Sequence, residues 1–108
     1  MKNFNATNFQ AEVLDSELPV LVDFWSPTCR PCIAMAPTLV KVEVELEGKA
    51  KVGKVDASEN LDLAKRYGVT GLPTFLVFHG GKVVAEARGV TPKEKLRGLV
   101  ENLGPGPL

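Results

Sequence analysis

An α/β domain is what this sequence predicts, because strand-like and helix-like stretches alternate along it and two of the helix-like ones close on a glycine. The clearest strand, residues 19–25, is apolar throughout except for Asp23, as in a strand covered on both faces. It runs straight into Cys29-Arg30-Pro31-Cys32 and a helix-like stretch, which puts two thiols at a strand-to-helix junction. With 108 residues the chain is long enough for one domain with a real hydrophobic core.

The elements follow in order. Thr7-Asn8-Phe9-Gln10 has the form of a capping box, with Thr7 as N-cap and Gln10 reaching back, and predicts a short helix over 8–16. After the strand at 19–25, a helix is expected from about Pro31 to Glu47, closed by Gly48 and kinked at Pro37, which removes one N–H bond and crowds the preceding turn. A strand is expected over 50–56 and a helix over 61–67 that stops at Gly68. Thr74–His79 and Lys82–Arg88 read as two strands joined by Gly80-Gly81, a hairpin signal. Thr91-Pro92-Lys93-Glu94 is a second capping box, with proline at the first helical position, and opens a last helix to about Asn102. Gly104-Pro105-Gly106-Pro107 cannot continue that helix, so a domain over 1–103 and a flexible tail over 104–108 are expected. No internal repeat or linker interrupts the domain.

One segment supports two readings. Residues 39–46 alternate apolar and charged side chains, which alone describes a half-buried strand. Met35, Leu39, Val42 and Leu46, spaced 4-3-4, describe a helical stripe equally well, at the cost of leaving the β-branched Val40 and Val44 toward solvent. Local pattern does not choose between them.

Composition narrows the function. Thirteen basic and thirteen acidic residues cancel, which gives no sign of nucleic-acid or anionic-membrane binding. Apolar runs such as Phe75–Phe78 are far too short to span a bilayer, and the first eight residues lack the apolar core of a secretion signal. Cytoplasmic residence is therefore the expectation, and there a transient catalytic disulfide is favoured over a structural one. Cys29 and Cys32 are the only cysteines. A thiol at a helix start faces unpaired N–H groups and the positive end of the helix dipole, which favour the thiolate, the species that attacks disulfides. The second thiol lies a turn deeper. The pair reads as a reversible two-electron redox couple.

The chain resembles the thioredoxin family over roughly residues 2–103. The matching residues are Asp23 and Trp25, Cys29 and Cys32 with Pro31 between them, Pro37, Lys54, Gly71-Leu72-Pro73-Thr74, Gly81 and Gly89. The resemblance implies a thioredoxin fold, a central mixed β-sheet of about five strands flanked by about four helices, and it selects the helical reading of 39–46. It also implies that Cys29 is the exposed nucleophile and Cys32 the buried resolving thiol of a protein-disulfide reductase. No cofactor is then needed beyond the Cys29–Cys32 disulfide. The implied partners are disulfide-containing proteins and a thioredoxin-reductase-type electron donor, with roles in electron transport and cell redox homeostasis; a monomer is expected.

Asp23 fits a general acid/base for Cys32, since a carboxylate in an apolar strand has a raised pKa; its other reading is a solvent-facing residue on an edge strand. Lys54 is implied to moderate Asp23, or is an ordinary solvated lysine. Pro73 is implied to be cis, offering the backbone of Leu72 to an extended substrate, although a trans proline at a strand start is also permitted. Trp25 reads as an apolar floor beside the site or as core packing, and Gly89 as a close-approach point for substrate or a strand-end glycine.

Three positions depart from the family pattern. Thr28 stands where Trp is common and removes a flat partner contact; Arg30 stands where Gly is usual; Ile33 stands where bacterial relatives often carry Lys. The guanidinium of Arg30 favours the Cys29 thiolate, which stabilises the reduced form and predicts a somewhat more oxidising couple. Three rival readings are weighed. A zinc module needs four ligands, and His79, the only histidine, is expected on the order of 20 Å from the dithiol. A non-catalytic binding scaffold is kept open by Thr28, and a disulfide oxidase or isomerase would use the same residues at another redox poise.

Overall fold

At the centre of the fold is β2 (Val20–Trp25), whose side chains are buried from Val20 to Phe24 because strands flank it on both sides. A computed structural model describes residues 1–103. In order it contains β1 (Lys2–Phe4), a π-helical turn (Gln10–Leu14), β2, α1 (Arg30–Glu45), β3 (Lys51–Asp56), α2 (Leu61–Arg66), β4 (Thr74–His79), β5 (Lys82–Arg88) and α3 (Lys93–Glu101). The sheet order is β1-β3-β2-β4-β5; β1 and β2 run parallel to β3, whereas β4 is antiparallel to both β2 and β5. This mixed five-stranded sheet with helical segments on both faces is the thioredoxin fold that the resemblance implies. The tail expected over 104–108 lies outside the described residues.

Strand alternation sorts the core. Val20, Val22 and Phe24 point to one face, under Phe9 and Val13 of the first turn and Leu63 and Ala64 of α2. Leu21 points to the other, against Met35, Leu39, Val42 and Leu46 of the α1 segment and Leu96 and Val100 of α3. Residues 39–46 are thus helical as far as Glu45, and the 4-3-4 stripe is the buried one, with Val40 and Val44 54% and 66% exposed on the outer face. Burial of the stripe outweighs the β-branched propensity cost.

Both expected capping boxes are corrected. Asn5, not Thr7, opens the first turn: its Oδ1 accepts from the N–H groups of Thr7 and Asn8, while Gln10 donates forward to Asp15. The segment expected as a helix over 8–16 is a π turn over Gln10–Leu14 without a side-chain cap. At the last helix Thr91 Oγ1 donates back to the carbonyl of Gly89, leaving α3 without a side-chain cap, and Pro92 is the N-cap rather than the first helical residue. The Gly80-Gly81 turn has both residues at positive φ, 64° and 79°, as a two-residue hairpin loop requires. No pattern announces β1, three residues long; it is held by Phe4, whose ring lies where a Cβ on Gly53 of β3 would stand.

Candidate functional site

The site forms at the end of the sheet where β2 and β3 finish and β4 begins. β2 ends at Trp25, and the carbonyl of Ser26 accepts the N–H of Cys29, turning the chain into α1. Cys29 is the N-cap of that helix, with an extended backbone, and Pro31 follows where a missing N–H costs nothing. Cys29 Sγ accepts the backbone N–H of Cys32 at 3.2 Å, so the sulfur takes the capping role and faces the positive end of the helix. Cys29 and Cys32 form a disulfide with Cα atoms 5.3 Å apart. Cys29 is half-buried and Cys32 is 3% exposed, so an incoming group reaches the first sulfur and not the second.

Asp23 lies on β2, the strand that leads into the dithiol turn. It shares its side of β2 with Leu21, the side that α1 covers, and it is 2% exposed. The edge-strand alternative is therefore overturned: β2 is paired with β3 and β4, opposite Lys54 and Phe75 at Asp23. Burial raises the Asp23 pKa to about 7, with the charge of Lys54 opposing that rise. Its Oδ1 has no hydrogen-bond partner among the described residues, and neither does Trp25 Nε1. Lys54 is half-buried on the neighbouring strand, and its ammonium sits 4.4 Å from the centre of the Trp25 ring. Strand register and this contact bring Trp25, Asp23 and Lys54 together.

The opposite wall is the loop before β4. The Leu72–Pro73 bond is cis, Pro73 is buried, and its carbonyl accepts the N–H of Gly89 at 2.8 Å. Thr74 Oγ1 braces the loop by donating to the carbonyl of Gly71. No hydrogen bond engages the N–H or carbonyl of Leu72 among the described residues. A shallow groove of about 180 Å³ passes over residues 70–74, Arg88 and Gly89. Gly89 has φ 79°, a backbone conformation that favours glycine, and lines this groove with no other protein atom crowding it. A larger open groove of about 550 Å³ adjoins it, lined by Ser26, Ala57, Leu61, Asp62, Lys65 and Val69–Leu72. Ala57, Leu61 and Val69 come from separate segments with no shared motif, and sequence reading did not single them out.

Thr28, Arg30 and Pro31 are all exposed, and Thr28 Oγ1 lies 3.3 Å from Ser26 Oγ. Ile33 is 53% exposed on the first turn of α1. His79 is at the far end of β4, and no group of three or more metal-ligating side chains occurs among the described residues.

The Thioredoxin family model matches residues 1–102. The chain is 44% identical over 99 residues to thioredoxin C-2 of Corynebacterium nephridii, a match covering 92% of each chain. It is 45% identical to a thioredoxin of Synechocystis sp. over 87% of this chain and 88% of the relative. A thioredoxin of Chlorobaculum thiosulfatiphilum is 42% identical over 95% of this chain and 98% of its own.

Proposed function

The chain belongs to the thioredoxin family, and from that premise we propose how its dithiol works and which residues serve it. It is a thioredoxin-type protein-disulfide reductase acting by dithiol–disulfide exchange. The observation that carries the mechanism is the asymmetry of the couple: a half-exposed Cys29 sulfur at a helix start and a Cys32 sulfur sealed beneath it.

In the reduced protein the Cys29 thiolate attacks one sulfur of a substrate disulfide. A mixed disulfide forms, the substrate S–S bond breaks, and the first substrate sulfur leaves as a thiolate that takes up a proton. Cys32 then gives its proton to the Asp23 carboxylate and attacks Cys29, releasing the second substrate sulfur. The protein ends with a Cys29–Cys32 disulfide and the substrate with two thiols, two electrons having moved. An acceptor whose pKa is about 7 exchanges protons readily near neutrality, which is what this step needs. Lys54 limits how far burial raises that pKa. The free backbone groups of Leu72, held beside cis Pro73, suit strand-like pairing with an extended substrate segment, and Gly89 fixes the loop behind them. Trp25 and Pro31 serve in this reading as supporting residues beside the dithiol, and Thr28 gives partners a small contact.

The same proposal includes disulfide-bearing proteins as substrates, a dedicated reductase as donor, a cytoplasmic monomer, and roles in electron transport and redox homeostasis. Neither nucleic acid nor membrane is a partner in this reading; no helix among the described residues is long and apolar enough to cross a membrane. The disulfide itself is the only redox group required. Insulin reduction driven by dithiothreitol tests the mechanism. Cys29→Ser is expected to abolish it, and Cys32→Ser to accumulate a covalent mixed disulfide with insulin. Full turnover by Cys29→Ser would return the non-catalytic scaffold reading.

A further inference from the structure

Arg30 is placed where the fold gains nothing from it. It is the first residue of α1, where the helix dipole is positive and a cation is unfavourable, and no acidic residue occupies that first turn. Its side chain is exposed, and it takes part in none of the ion pairs among the described residues. Its surroundings are also neutral. Residues 24–40 contain no other charge, and the segments 67–78 and 89–92, which supply the opposite wall, contain none at all. Lys54, half-buried, has its ammonium 4.4 Å from the centre of the Trp25 ring. Arg88 is held by Glu86 at 3.0 Å, Asp56 is turned onto Ser58, and Asp62 shares its groove with Lys65.

We propose that Arg30 is a specificity-determining residue, selecting disulfides that carry a carboxylate beside the attacked cysteine. This rests on the exchange reading above and deepens it. An unpartnered guanidinium adjoining Cys29 attracts a substrate carboxylate and repels a lysine or arginine at the same place. It also offsets the repulsion between an acidic substrate and the Cys29 thiolate. An effect on thiolate character alone is different in kind, because it changes the rate with every substrate by the same factor.

Three synthetic peptides with the same intramolecular disulfide test this, with Glu, Gln or Lys next to one cysteine, reduced in a single turnover by the reduced protein at low salt. The readout is the Glu-to-Lys rate ratio, compared between wild type and Arg30→Gln so that the intrinsic reactivity of each peptide cancels. The ratio is expected to fall about three- to tenfold in Arg30→Gln, as for one charge pair partly in solvent. It should fall further in Arg30→Glu, and shrink in wild type as salt is raised. A ratio unchanged by Arg30→Gln overturns the proposal while leaving the exchange reaction intact. Failure of wild type to reduce any of the three removes the exchange reading and the proposal with it.

Discussion

Asp23, on the strand that α1 covers, and Glu45, at the C-terminal end of α1, are carboxylates in opposite surroundings. Glu45 is exposed and held by Lys93 at 2.8 Å and by Arg97, which also binds Glu101. Hydrogen bonds from Lys93 and then Arg97 lower its pKa. Asp23 is sealed from solvent, its Oδ1 has no hydrogen-bond partner among the described residues, and burial raises its pKa to about 7. The first arrangement ties α3 to α1 in a place where water screens any error. The second leaves an unpaired carboxylate in the core, which works against folding and fits the proton transfer proposed for it. The contrast separates a residue that serves the fold from one that, in the proposed mechanism, serves the reaction.

The largest effect expected is on stability. Above the unfolded carboxylate range an unfolded Asp23 has lost its proton, while the folded protein holds it until about pH 7. The native state therefore binds more protons in that window, and stability falls as pH rises from about 4 to about 7, then levels off. Asp23→Asn should be more stable than wild type at pH 8 and no more stable near pH 3. The gain at pH 8 is expected to reach up to about 4 kcal/mol, because each pH unit between the unfolded and folded pKa is worth about 1.36 kcal/mol. Urea melts of the oxidised proteins at both pH values measure this; a pH-independent difference would remove the buried-ionisation argument. The same variant should also resolve the mixed disulfide roughly tenfold to a hundredfold more slowly, read by stopped-flow release of a labelled substrate thiol.

Lys54→Met sharpens the comparison from the other side. Loss of the ammonium removes the charge that opposes burial, so the Asp23 carboxyl should titrate at higher pH than in wild type, as followed by carboxyl carbon NMR. Glu45→Gln should do least. Its folded pKa is depressed, so its contribution to stability is present above about pH 4.5 and lost as pH falls. A slightly lower melting temperature near neutrality, a difference erased by salt, is expected for so exposed a group. Arg30→Gly should move the thiolate absorbance midpoint of Cys29 to higher pH; an unchanged midpoint would limit Arg30 to substrate selection.

How much of this was legible in the chain depends on distance along it. Thr74–His79 and Lys82–Arg88 are read to the residue, because the Gly80-Gly81 turn and the flanking β-branched and aromatic residues act locally. The capping boxes at Thr7 and Thr91 fail because nearer competitors exist: Asn5 captures one turn, and the Gly89 carbonyl takes the hydroxyl of Thr91. β1 is too short to show a period and depends on a contact between Phe4 and Gly53, far apart along the chain. The dithiol is local and therefore visible. That Lys54 faces Asp23 follows from strand register, and the groove of Ala57, Leu61 and Val69 from folding alone.

The reduction potential of the Cys29–Cys32 couple tests the central claim most directly, measured by equilibration in dithiothreitol and glutathione buffers with trapping of free thiols. The account predicts one reversible two-electron transition, near the about −270 mV of reducing thioredoxin couples and displaced to less negative values by Arg30. A potential far above that range would make the protein an oxidase or isomerase, and no reversible two-electron transition would contradict the redox account outright.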